Sequence, residues 1–568
     1  MVRVHRATAE KIGSMKSRQE ALQAIGGTTF DVCVIGGGAT GSGCALDSQL
    51  RGLKTVQLEA EDFASGASSA STKMVHGGVR YLEEAIRSFD FKEYRVLKEA
   101  LHERIHMLQN APFLTNTRLF LTPCYRRLDA AYFTVGLKLY DWVAGRDGLA
   151  PSVFISREQA LQRMPMLASS GLVGAVVYSD GQFDDARYNI ALVQTFAAAG
   201  GETLNYAKVI AFEKNADGKL AAATVEDRLT GRTFMVHALS FVNATGPRAD
   251  TIRRMATPGV PLRIRFSKGV HLVLPPEILC DREAMLIPRT EDGRVLFAIP
   301  WLGSVLVGTT DEEIKSPENP HLEAEEVQYL LQHLNRYLEQ PVTANQIVGG
   351  MAGVRPLVSS SESKSTKKIA RDHQVELDSD SGLISIMGGK WTTYRAMAQD
   401  TVDAVQKFLG ISVSNCQTLR HQLLGSDGYS TDYWKALTKR YGVTERAARH
   451  LAEKFGTQAS RVMDLAREDP KLAEPLVAGL APLRAEVVFG IRDEMAVSIE
   501  DILSRRIGLQ THDWKNAMRA APAVAELLAR ELGWPDSQKR KALDDYLAKI
   551  LEFMERAGLG GDRANQAQ

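Results

Sequence analysis

Long apolar runs, paired cysteines and an excess of one charge are all missing from this sequence of 568 residues. No stretch of about 18 apolar residues occurs, so we expect no membrane-spanning helix. The 69 Lys and Arg residues nearly balance the 68 Asp and Glu residues, giving a net charge of +1. Such a balance provides no general field for nucleic acid, which is therefore not an expected partner. Any anion-binding site must be local.

Cysteines are few and scattered along the chain. Their number is odd and no two form a Cys-x-x-Cys pair; they are Cys33, Cys44, Cys124, Cys280 and Cys416. This pattern argues against a disulfide framework, a redox pair and a structural zinc site, and it favours a reducing compartment. We predict no metal site.

The first 18 residues lack the apolar core of a secretory signal. They carry several cations against one acid, Glu10; the cations are Arg3, Arg6, Lys11, Lys16 and Arg18. This composition is typical of a solvated tail, and it also fits a weak mitochondrial targeting segment.

The length of the chain allows roughly two to four domains. Residues 410–430 are polar and irregular, and the sequence that follows has an almost entirely helical pattern. We therefore predict an N-terminal tail at residues 1–27, a central region at residues 28–410 and an all-α C-terminal domain at residues 411–568. No internal repeat is evident.

The central region begins with the pattern of a dinucleotide-binding fold. Residues 30–35 read as a buried strand, a small-residue helix follows to about Arg51, and residues 54–59 read as a second strand ending at Glu59. Between them, the fingerprint Gly-x-Gly-x-x-Gly consists of Gly36, Gly38 and Gly41. Its glycines permit the tight turn, the close approach to a pyrophosphate and the close helix packing. Glu59 then lies at the spacing expected for a ribose contact.

Two later segments favour FAD over NAD as the dinucleotide. Residues 241–247, which include Thr245 and Gly246, predict a strand and turn that return backbone to the cofactor. Residues 383–387 predict another strand, and Gly389 and Lys390 follow it before a helix that runs through Ala396 and Val402. The N-terminus of that helix, with Lys390, would stabilise negative charge on a reduced flavin. No second fingerprint for NAD is present.

Longer motifs resemble those of a known family. Residues 66–82 read Gly-Ala-Ser-Ser-Ala-Ser-Thr-Lys-Met-Val-His-Gly-Gly-Val-Arg-Tyr-Leu, and residues 388–395 read Gly-Gly-Lys-Trp-Thr-Thr-Tyr-Arg. Further matching segments lie at residues 178–187, 308–311, 353–357, 370–373, 484–491 and 501–506. With these motifs the sequence resembles the FAD-dependent glycerol-3-phosphate dehydrogenases, in particular the mitochondrial-type members. The resemblance extends from about residue 28 to near the C-terminus.

The resemblance implies an α/β fold. Its central part is a Rossmann-like FAD-binding domain of glutathione-reductase type, interleaved with a substrate domain on a mixed or antiparallel sheet. An all-α C-terminal domain follows. The tail lacks the Asp-x-Asp-x-Asp-Gly loop of animal members, so we expect no calcium control through EF-hands.

The resemblance also implies oxidation of sn-glycerol 3-phosphate to dihydroxyacetone phosphate, with hydride transfer to FAD. The substrate-binding residues implied are Arg80, Tyr81, Lys268, Arg355, Arg371 and Lys390, and His271, Arg355 and Lys390 are the catalytic candidates. His271 is the first candidate base because a neutral imidazole accepts a proton near pH 7. His76 is an alternative that would orient the flavin edge, and a purely structural role is left open for either histidine.

Cofactor contacts follow from the same motifs. Beyond the residues already named for FAD, the implied set is Ser68, Ser69, Ser71, Lys73, His76, Gly77, Gly353 and Thr392. Electrons would pass to a membrane quinone, so we expect peripheral membrane association, at the mitochondrial inner membrane in a eukaryote or the cytoplasmic membrane in a bacterium. A homodimer is a further expected partner. Residues 124–142, with their aromatic and basic side chains, are a candidate membrane surface, and an ordinary buried aromatic cluster is the alternative.

Three other functions fit the sequence less well. His102-Glu103-Arg104-Ile105-His106 is a literal His-Glu-x-x-His zinc-protease motif, but it lies in a charged amphipathic helix without an evident third ligand. A glycerol-3-phosphate oxidase would share the first half-reaction and pass electrons to oxygen, but the inserted segment usual in oxidases is not seen. An FAD-dependent RNA-modifying protein is disfavoured by the balanced charge.

Overall fold

The computed structural model describes residues 15–78, 91–279, 283–288, 290–291, 293–359 and 372–560. The strands are β1 Thr29–Ile35, β2 Thr55–Leu58, β3 Met74–Val75, β4 Thr115–Cys124, β5 Val153–Ser156, β6 Gly174–Phe183, β7 Glu202–Leu204, β8 Ala207–Lys214, β9 Leu220–Asp227, β10 Arg232–Asn243, β11 Ile264–Leu274, β12 Glu283–Ile287, β13 Leu296–Trp301, β14 Ser304–Gly308, β15 Glu312–Ile314, β16 Gly349–Val358, β17 His373–Leu377 and β18 Leu383–Gly388.

Helices alternate with these strands and dominate the last part of the chain. They are α1 Arg18–Ile25, α2 Ala39–Leu50, α3 Phe91–Asn110, α4 Arg127–Ala144, α5 Arg157–Arg163, α6 Asp185–Ala198, α7 Ala249–Ala256, α8 Ala324–Asn335, α9 Tyr394–Phe408, α10 Tyr433–Tyr441, α11 Glu445–Phe455, α12 Ala459–Glu468, α13 Arg484–Glu494, α14 Leu509–His512, α15 Trp514–Leu532 and α16 Asp536–Arg556. A π-helix spans Asp501–Arg506.

The first β-α-β unit forms as its sequence predicts. Strand β1 is buried from Val32 to Ile35, and β2 is buried throughout. Helix α2 buries most of its small residues, and at Gly43 a Cβ would lie 2.9 Å from Tyr394 Cδ2. The small side chains therefore let α2 pack between the sheet and α9.

In the described part of the chain, an 8-stranded sheet is built around this unit. Its parallel part runs in the order β18, β10, β1, β2 and β7, and β17, β9 and β8 join it in antiparallel pairs. Helices α2, α6 and α9 cover one face, whereas the β8–β9 hairpin and α7 cover the other. The predicted Rossmann-like fold of glutathione-reductase type is confirmed.

A second, 10-stranded sheet forms from the described strands between those of the first. Its central order is β15, β11, β14, β13, β12, β4, β6 and β3, with β16 beside β11 and β5 beside β6. Only the β12–β4 pair among them is parallel. The mixed sheet and its interleaving with the first sheet are confirmed.

The helical region after α9 packs on the back of this second sheet. A single apolar cluster joins strand residues such as Leu272 and Met285 to helix residues such as Leu451, Val488 and Leu528, all nearly inaccessible to solvent. The predicted all-α character of the C-terminal part is confirmed. The boundary at residue 410 stays a prediction; residues 412–417 just beyond it have no regular structure.

Part of the predicted N-terminal tail is ordered. Ser17 forms a capping box with Glu20 at the start of α1, and Ala21 and Ile25 are buried. Arg18 forms an ion pair with Asp227 at 2.5 Å. The predicted tail boundary at residue 27 stays a prediction, but residues 18–25 form a helix whose apolar face docks on the nucleotide fold. Residues 1–14 lie outside the described residues.

Candidate active site

Parallel strands bring the predicted nucleotide residues to one edge of the first sheet. β1 ends before Gly36, β2 before Glu59, β10 before Thr245, and β18 at Gly388. The carboxyl ends of these parallel strands lie together, which is where open α/β sheets bind ligands. The sequence predicted this convergence because each segment shows a strand followed by a glycine-containing turn or an acid.

The fingerprint glycines stand where no side chain fits. Gly36 has φ +119°, and a Cβ there would lie 2.5 Å from Ala244 O. At Gly41 a Cβ would lie 2.1 Å from Gly36 O. A Cβ on Gly38 would approach Ser68 Oγ to 2.8 Å. The loop is thus folded too tightly for any residue with a side chain, as a dinucleotide cradle requires.

Acceptors and donors line this cradle. Glu59 Oε2 accepts a hydrogen bond from Gly37 N at 2.5 Å, and burial, the dominant cause, raises the pKa of Glu59. Ser68 Oγ accepts from Ala39 N at 2.9 Å at the N-terminus of α2. The helix N-terminus favours an anion such as a pyrophosphate.

The third segment that returns backbone to the predicted cofactor site lies between β18 and α9. Gly388 and Gly389 have φ of +73° and +82°, and Lys390 begins the single helical turn that precedes α9. Trp391 Nε1 donates to Ser68 O at 2.9 Å. This bond ties the predicted flavin-facing helix to the loop that contains the family motif. Thr392 Oγ1 lies 3.4 Å from His76 O.

An internal ion pair fixes the motif loop. Lys73 has φ +60°, is 2% exposed and binds Asp185 Oδ1 at 2.5 Å. Lys73 Nζ also donates to Ser69 O at 2.8 Å, and Ser71 N donates to Asp185 Oδ2 at 2.9 Å. The predicted cofactor residues Ser69, Ser71 and Lys73 therefore form one rigid unit. Sequence reasoning missed Asp185, although it lies in the quoted segment 178–187.

His271 lies on the face of β11 that meets this loop. It is 1% exposed, and its Nε2 is 3.0 Å from Thr72 Oγ1. Its ring occupies the space over Gly308, where a Cβ would lie 2.2 Å from His271 Cδ2. Burial first, and then the cations of Arg355 and Lys73, holds the pKa of His271 well below the usual histidine value. A neutral imidazole at pH 7 is thus built into the site.

Arg355 lies beside His271 on the same face. The register pairs Arg355 with Ser267, and its guanidinium covers Gly269, where a Cβ would lie 2.3 Å from Nη2. Arg355 Nη2 donates to Thr309 Oγ1 at 2.8 Å and Nη1 to Thr310 O at 3.0 Å. Gly269 and Gly308 therefore make room for the two candidate catalytic side chains. The periodicity of the sequence alone did not reveal this role of the two glycines.

β16 connects the substrate sheet to the nucleotide edge. At Gly353 a Cβ would lie 2.8 Å from Ala70 Cβ, and at Gly388 a Cβ would lie 2.9 Å from Val358 Cγ2. Strand β16, which carries Arg355, thus contacts both the motif loop and the end of β18.

His76 is half-buried, with its ring 6.2 Å from that of Phe297, and Gly77 packs against Leu101.

The structure does not bring Lys268 to this face. Successive strand residues point to opposite sides, and Lys268 faces α8, where its Nζ is 2.9 Å from Glu326 Oε2. Its placement with the substrate group overlooked this alternation. Arg80, Tyr81 and Arg371 lie outside the described residues.

The zinc-protease motif has other partners. Glu103 holds Arg395 through two hydrogen bonds of 2.8 and 2.6 Å, so its carboxylate serves an interhelical ion pair. His102 Nε2 is 3.1 Å from His106 Nε2. Within residues 15–78, 91–279, 283–288, 290–291, 293–359 and 372–560, no group of three or more His, Cys, Asp or Glu is arranged to hold a metal ion.

Comparisons with known proteins fit this geometry. Residues 31–395 match the family model of FAD dependent oxidoreductases, and residues 416–539 match the C-terminal domain of alpha-glycerophosphate oxidase. The mitochondrial glycerol-3-phosphate dehydrogenases of Mesocricetus auratus and Homo sapiens are 41% and 40% identical over 540 residues, 93% of this chain and 74% of theirs. The glycerol-3-phosphate dehydrogenase structure from Bacillus halodurans, complexed with FAD, is 30% identical, with a TM-score of 0.78 over 94% of this chain and 97% of that one.

The cradle fits FAD on its own terms. The crowded glycines leave no room for side chains of their own beside the N-terminus of α2, and Glu59 lies at the end of β2. FAD is therefore the cofactor, as predicted. By its sequence match, its fold and this cofactor site, the chain belongs to the FAD-dependent glycerol-3-phosphate dehydrogenase family.

Proposed function

We propose that this enzyme oxidises sn-glycerol 3-phosphate to dihydroxyacetone phosphate and passes the electrons to a membrane quinone. The observation that carries the first half-reaction is a buried neutral histidine beside an arginine, on the face of β11 that meets the motif loop. The names of the relatives support the same substrate.

His271 is the candidate proton acceptor. Oxidation of the secondary alcohol removes a hydride from C2 and a proton from its hydroxyl group. When bound, FAD supplies the two-electron acceptor for the hydride. The lowered pKa of His271 keeps Nδ1 or Nε2 available for the proton at neutral pH, and Thr72 Oγ1 at 3.0 Å orients the ring.

Arg355 and Lys390 are the candidate cations for the phosphate. Arg355 is half-buried and braced by Thr309 and Thr310, so its planar guanidinium is already oriented for a bidentate contact. Lys390 begins the turn before α9, where the helix N-terminus adds partial positive charge. Arg80, Tyr81 and Arg371 complete the proposed substrate set from outside the described residues.

The second half-reaction requires access to a lipid-soluble acceptor. Helix α4 carries an apolar stripe formed by Leu128, Tyr132, Val135 and Trp142, which are 82%, 45%, 68% and 71% exposed. Their spacing places them on one helix face. Exposed cations accompany the stripe, namely Arg126, Arg127 and Lys138. Exposed apolar and basic side chains on one helix are typical of a surface that lies on a membrane.

The buried side of the same helix supports this assignment. Tyr140, at 2% exposure, accepts a hydrogen bond from Gly77 N and donates to Asp180 Oδ2, both at 2.9 Å. The apolar stripe and the contact with Gly77 of the motif loop thus lie on opposite sides of the same helix. Tyr140 itself is a core residue, so only part of residues 124–142 belongs to the proposed surface.

No helix among the described residues is both long and apolar enough to cross a bilayer. We therefore propose peripheral association, at the mitochondrial inner membrane in a eukaryotic cell, as the names of the relatives favour, or at the cytoplasmic membrane in a bacterium. A homodimer is a further proposal, tested by the mass of the purified enzyme in solution.

Anaerobic addition of sn-glycerol 3-phosphate to the purified holoenzyme tests the first half-reaction. We expect the flavin absorbance to bleach, followed by fast reoxidation with a soluble quinone analogue and slow reoxidation with oxygen. Fast peroxide formation would instead identify an oxidase, a candidate favoured by the match of residues 416–539 to an oxidase domain. Absence of bleaching would contradict the assignment.

Liposome flotation tests the membrane surface. We expect Leu128→Ser combined with Trp142→Ser to lose most binding to anionic vesicles while the flavin still bleaches with substrate. Leu239→Ser is the matched control, because it removes a side chain that is 55% exposed on β10, away from the stripe. Equal vesicle binding by the wild-type protein, the double variant and Leu239→Ser would contradict the proposal.

A further inference from the structure

Two adjacent arginines of the C-terminal region reach into the nucleotide fold. Arg505 and Arg506 lie in the π-helix, with side chains 6% and 1% exposed, and both bind the buried carboxylate of Asp62. Arg505 Nε and Arg506 Nη1 are 2.6 and 2.7 Å from Asp62 Oδ2, and Arg506 Nη2 is 3.0 Å from Oδ1. Asn205 Nδ2 donates to Oδ1 at 3.1 Å. Both oxygens of this carboxylate therefore accept hydrogen bonds from buried donors.

Neighbouring residues of the π-helix share one partner. In an α-helix consecutive side chains point about 100° apart, so Arg505 and Arg506 would diverge. Here the hydrogen bond from Ile507 N to Ile502 O, at 2.8 Å, closes a wider turn. π-Turns are rare and occur frequently at functional sites.

Asp62 lies in the middle of a turn that grips the dinucleotide loop. Before it, Glu59 Oε2 accepts from Gly37 N at 2.5 Å, and after it, Ala64 N donates to Gly37 O at 3.1 Å. Phe63 packs on the same glycine, where a Cβ would lie 2.8 Å from its Cδ1. Gly37 N is thus held by Glu59 just before this turn, and Gly37 O accepts from Ala64 N within the turn and from Asn189 Nδ2, on α6, at 2.8 Å.

Removal of the arginine charges would leave a buried carboxylate without compensation. Such a group is drawn toward water, because an unpaired charge in the interior is strongly unfavourable. The turn at residues 61–65 would then move outward, and Gly37 would lose its contacts with Ala64 and Phe63, which help to keep the loop in its cradle conformation.

We propose that Arg505 and Arg506 are positioning residues for FAD, acting through Asp62 on the loop that contains Gly37. The C-terminal region thereby contributes to cofactor affinity without a residue in the cofactor cradle. The inference depends on FAD as the cofactor but not on the identity of the substrate, so its failure is distinguishable from failure of the proposed function.

The test measures FAD binding in full-length variants. Arg506→Gln should raise the FAD dissociation constant at least tenfold after deflavination and reconstitution. In a thermal scan of the holoenzyme, flavin fluorescence should then appear at a lower temperature than the loss of the far-UV circular dichroism signal. Arg506→Lys should recover part of the affinity, because it keeps the charge with fewer contacts.

Tyr206→Phe is the matched control. Tyr206 Oη donates to Asp501 Oδ1 at 2.8 Å across the same interface, beside Arg505 Nη2 on the same oxygen, and forms no hydrogen bond with Asp62. This variant should lower both thermal transitions together and leave the FAD dissociation constant within twofold of the wild-type value. A merely structural role for Arg506 would give the same result for Arg506→Gln, and that outcome would overturn the proposal.

A double-mutant cycle tests the route through Asp62. The Asp62→Asn, Arg506→Gln double variant should bind FAD no more weakly than the weaker single variant. Full additivity of the two effects would contradict the proposed route. If Arg506→Gln does not yield soluble protein, Arg506→Lys decides the question by the same measurements, and wild-type affinity in that variant counts against the proposal.

Discussion

The nucleotide edge and the substrate face are built by different means. The nucleotide edge consists of backbone, with glycines at positive φ or in contacts too close for a Cβ, such as Gly36 and Gly41. The substrate face consists of side chains on antiparallel strands, such as His271 and Arg355. The first kind of site is local in sequence, whereas the second depends on strand register. This difference decides which parts of the site tolerate substitution.

The largest effect is expected at the backbone site. Gly41→Val would place side-chain atoms into Gly36 O, which a Cβ already approaches to 2.1 Å. We expect purified protein without bound flavin, measured by its absorbance at 450 nm. Gly136→Ala is the control, since nothing lies within 4 Å of a Cβ there. Normal flavin content in Gly41→Val would contradict the assignment of this glycine loop as the FAD-binding site.

On the substrate face, His271→Asn should retain flavin and lose turnover. Loss of a positioned proton acceptor typically lowers kcat by roughly 10²–10⁴-fold. The measurement is the rate of anaerobic flavin reduction in a stopped-flow instrument. A decrease below about threefold would remove His271 from the role of base and return attention to His76.

Arg355→Lys sharpens the comparison, because it keeps the charge and removes the planar fork. We expect kcat/KM to fall on the order of 10- to 100-fold, mainly through KM, with FAD content unchanged. Steady-state kinetics over a range of glycerol 3-phosphate concentrations measure the split. A fall in kcat alone would indicate that Arg355 does not hold the phosphate.

Lys268→Met should affect stability rather than catalysis. The side chain pairs with Glu326 on the opposite face of β11, and both partners are 11% exposed. Loss of the pair leaves a largely buried carboxylate, which costs about 1–3 kcal/mol. We expect a lower melting temperature and a KM within twofold of wild type. A tenfold rise in KM would restore Lys268 to the substrate group.

The smallest expected effect is a shift in pH dependence. Because the pKa of His271 is lowered, the imidazole stays neutral as pH falls through the ordinary histidine value near 6.5. Activity should therefore decline only at lower pH. Arg355→Met should move this acid limb to higher pH, since one of the cations that lower the pKa is removed. Profiles of kcat between pH 5 and 8 measure the shift.

The same comparison explains what the sequence could predict. The β-α-β unit, the turn at Thr245 and the diglycine at Gly388 were predicted correctly, because each is marked by residues adjacent in the chain. A family motif also contains Arg355, and His271 was a candidate because a neutral imidazole accepts a proton near pH 7. The separation of Lys268 from His271 was not predicted, because only pairing with β16 and β15 shows which side of β11 meets the motif loop. No short-range pattern encodes that register.

Other features depended on contacts between distant residues. The partner of Glu103 was not predicted, because Arg395, which binds its carboxylate, lies almost three hundred positions later in the chain. Likewise the order in α1 comes from docking on β7 and on Asp227. Burial against remote elements, rather than composition, decided both cases.

The parallel pairing of β1 with β10 and of β10 with β18 has a consequence for biosynthesis. A ribosome releases the Gly36 loop early, but the strand ending at Gly388 emerges much later. The nascent chain must therefore remain without its finished cofactor cradle during most of translation. Long-range pairing of this kind folds slowly and exposes strand edges meanwhile. In the cell, FAD capture is thus a late event, after most of the polypeptide has left the ribosome.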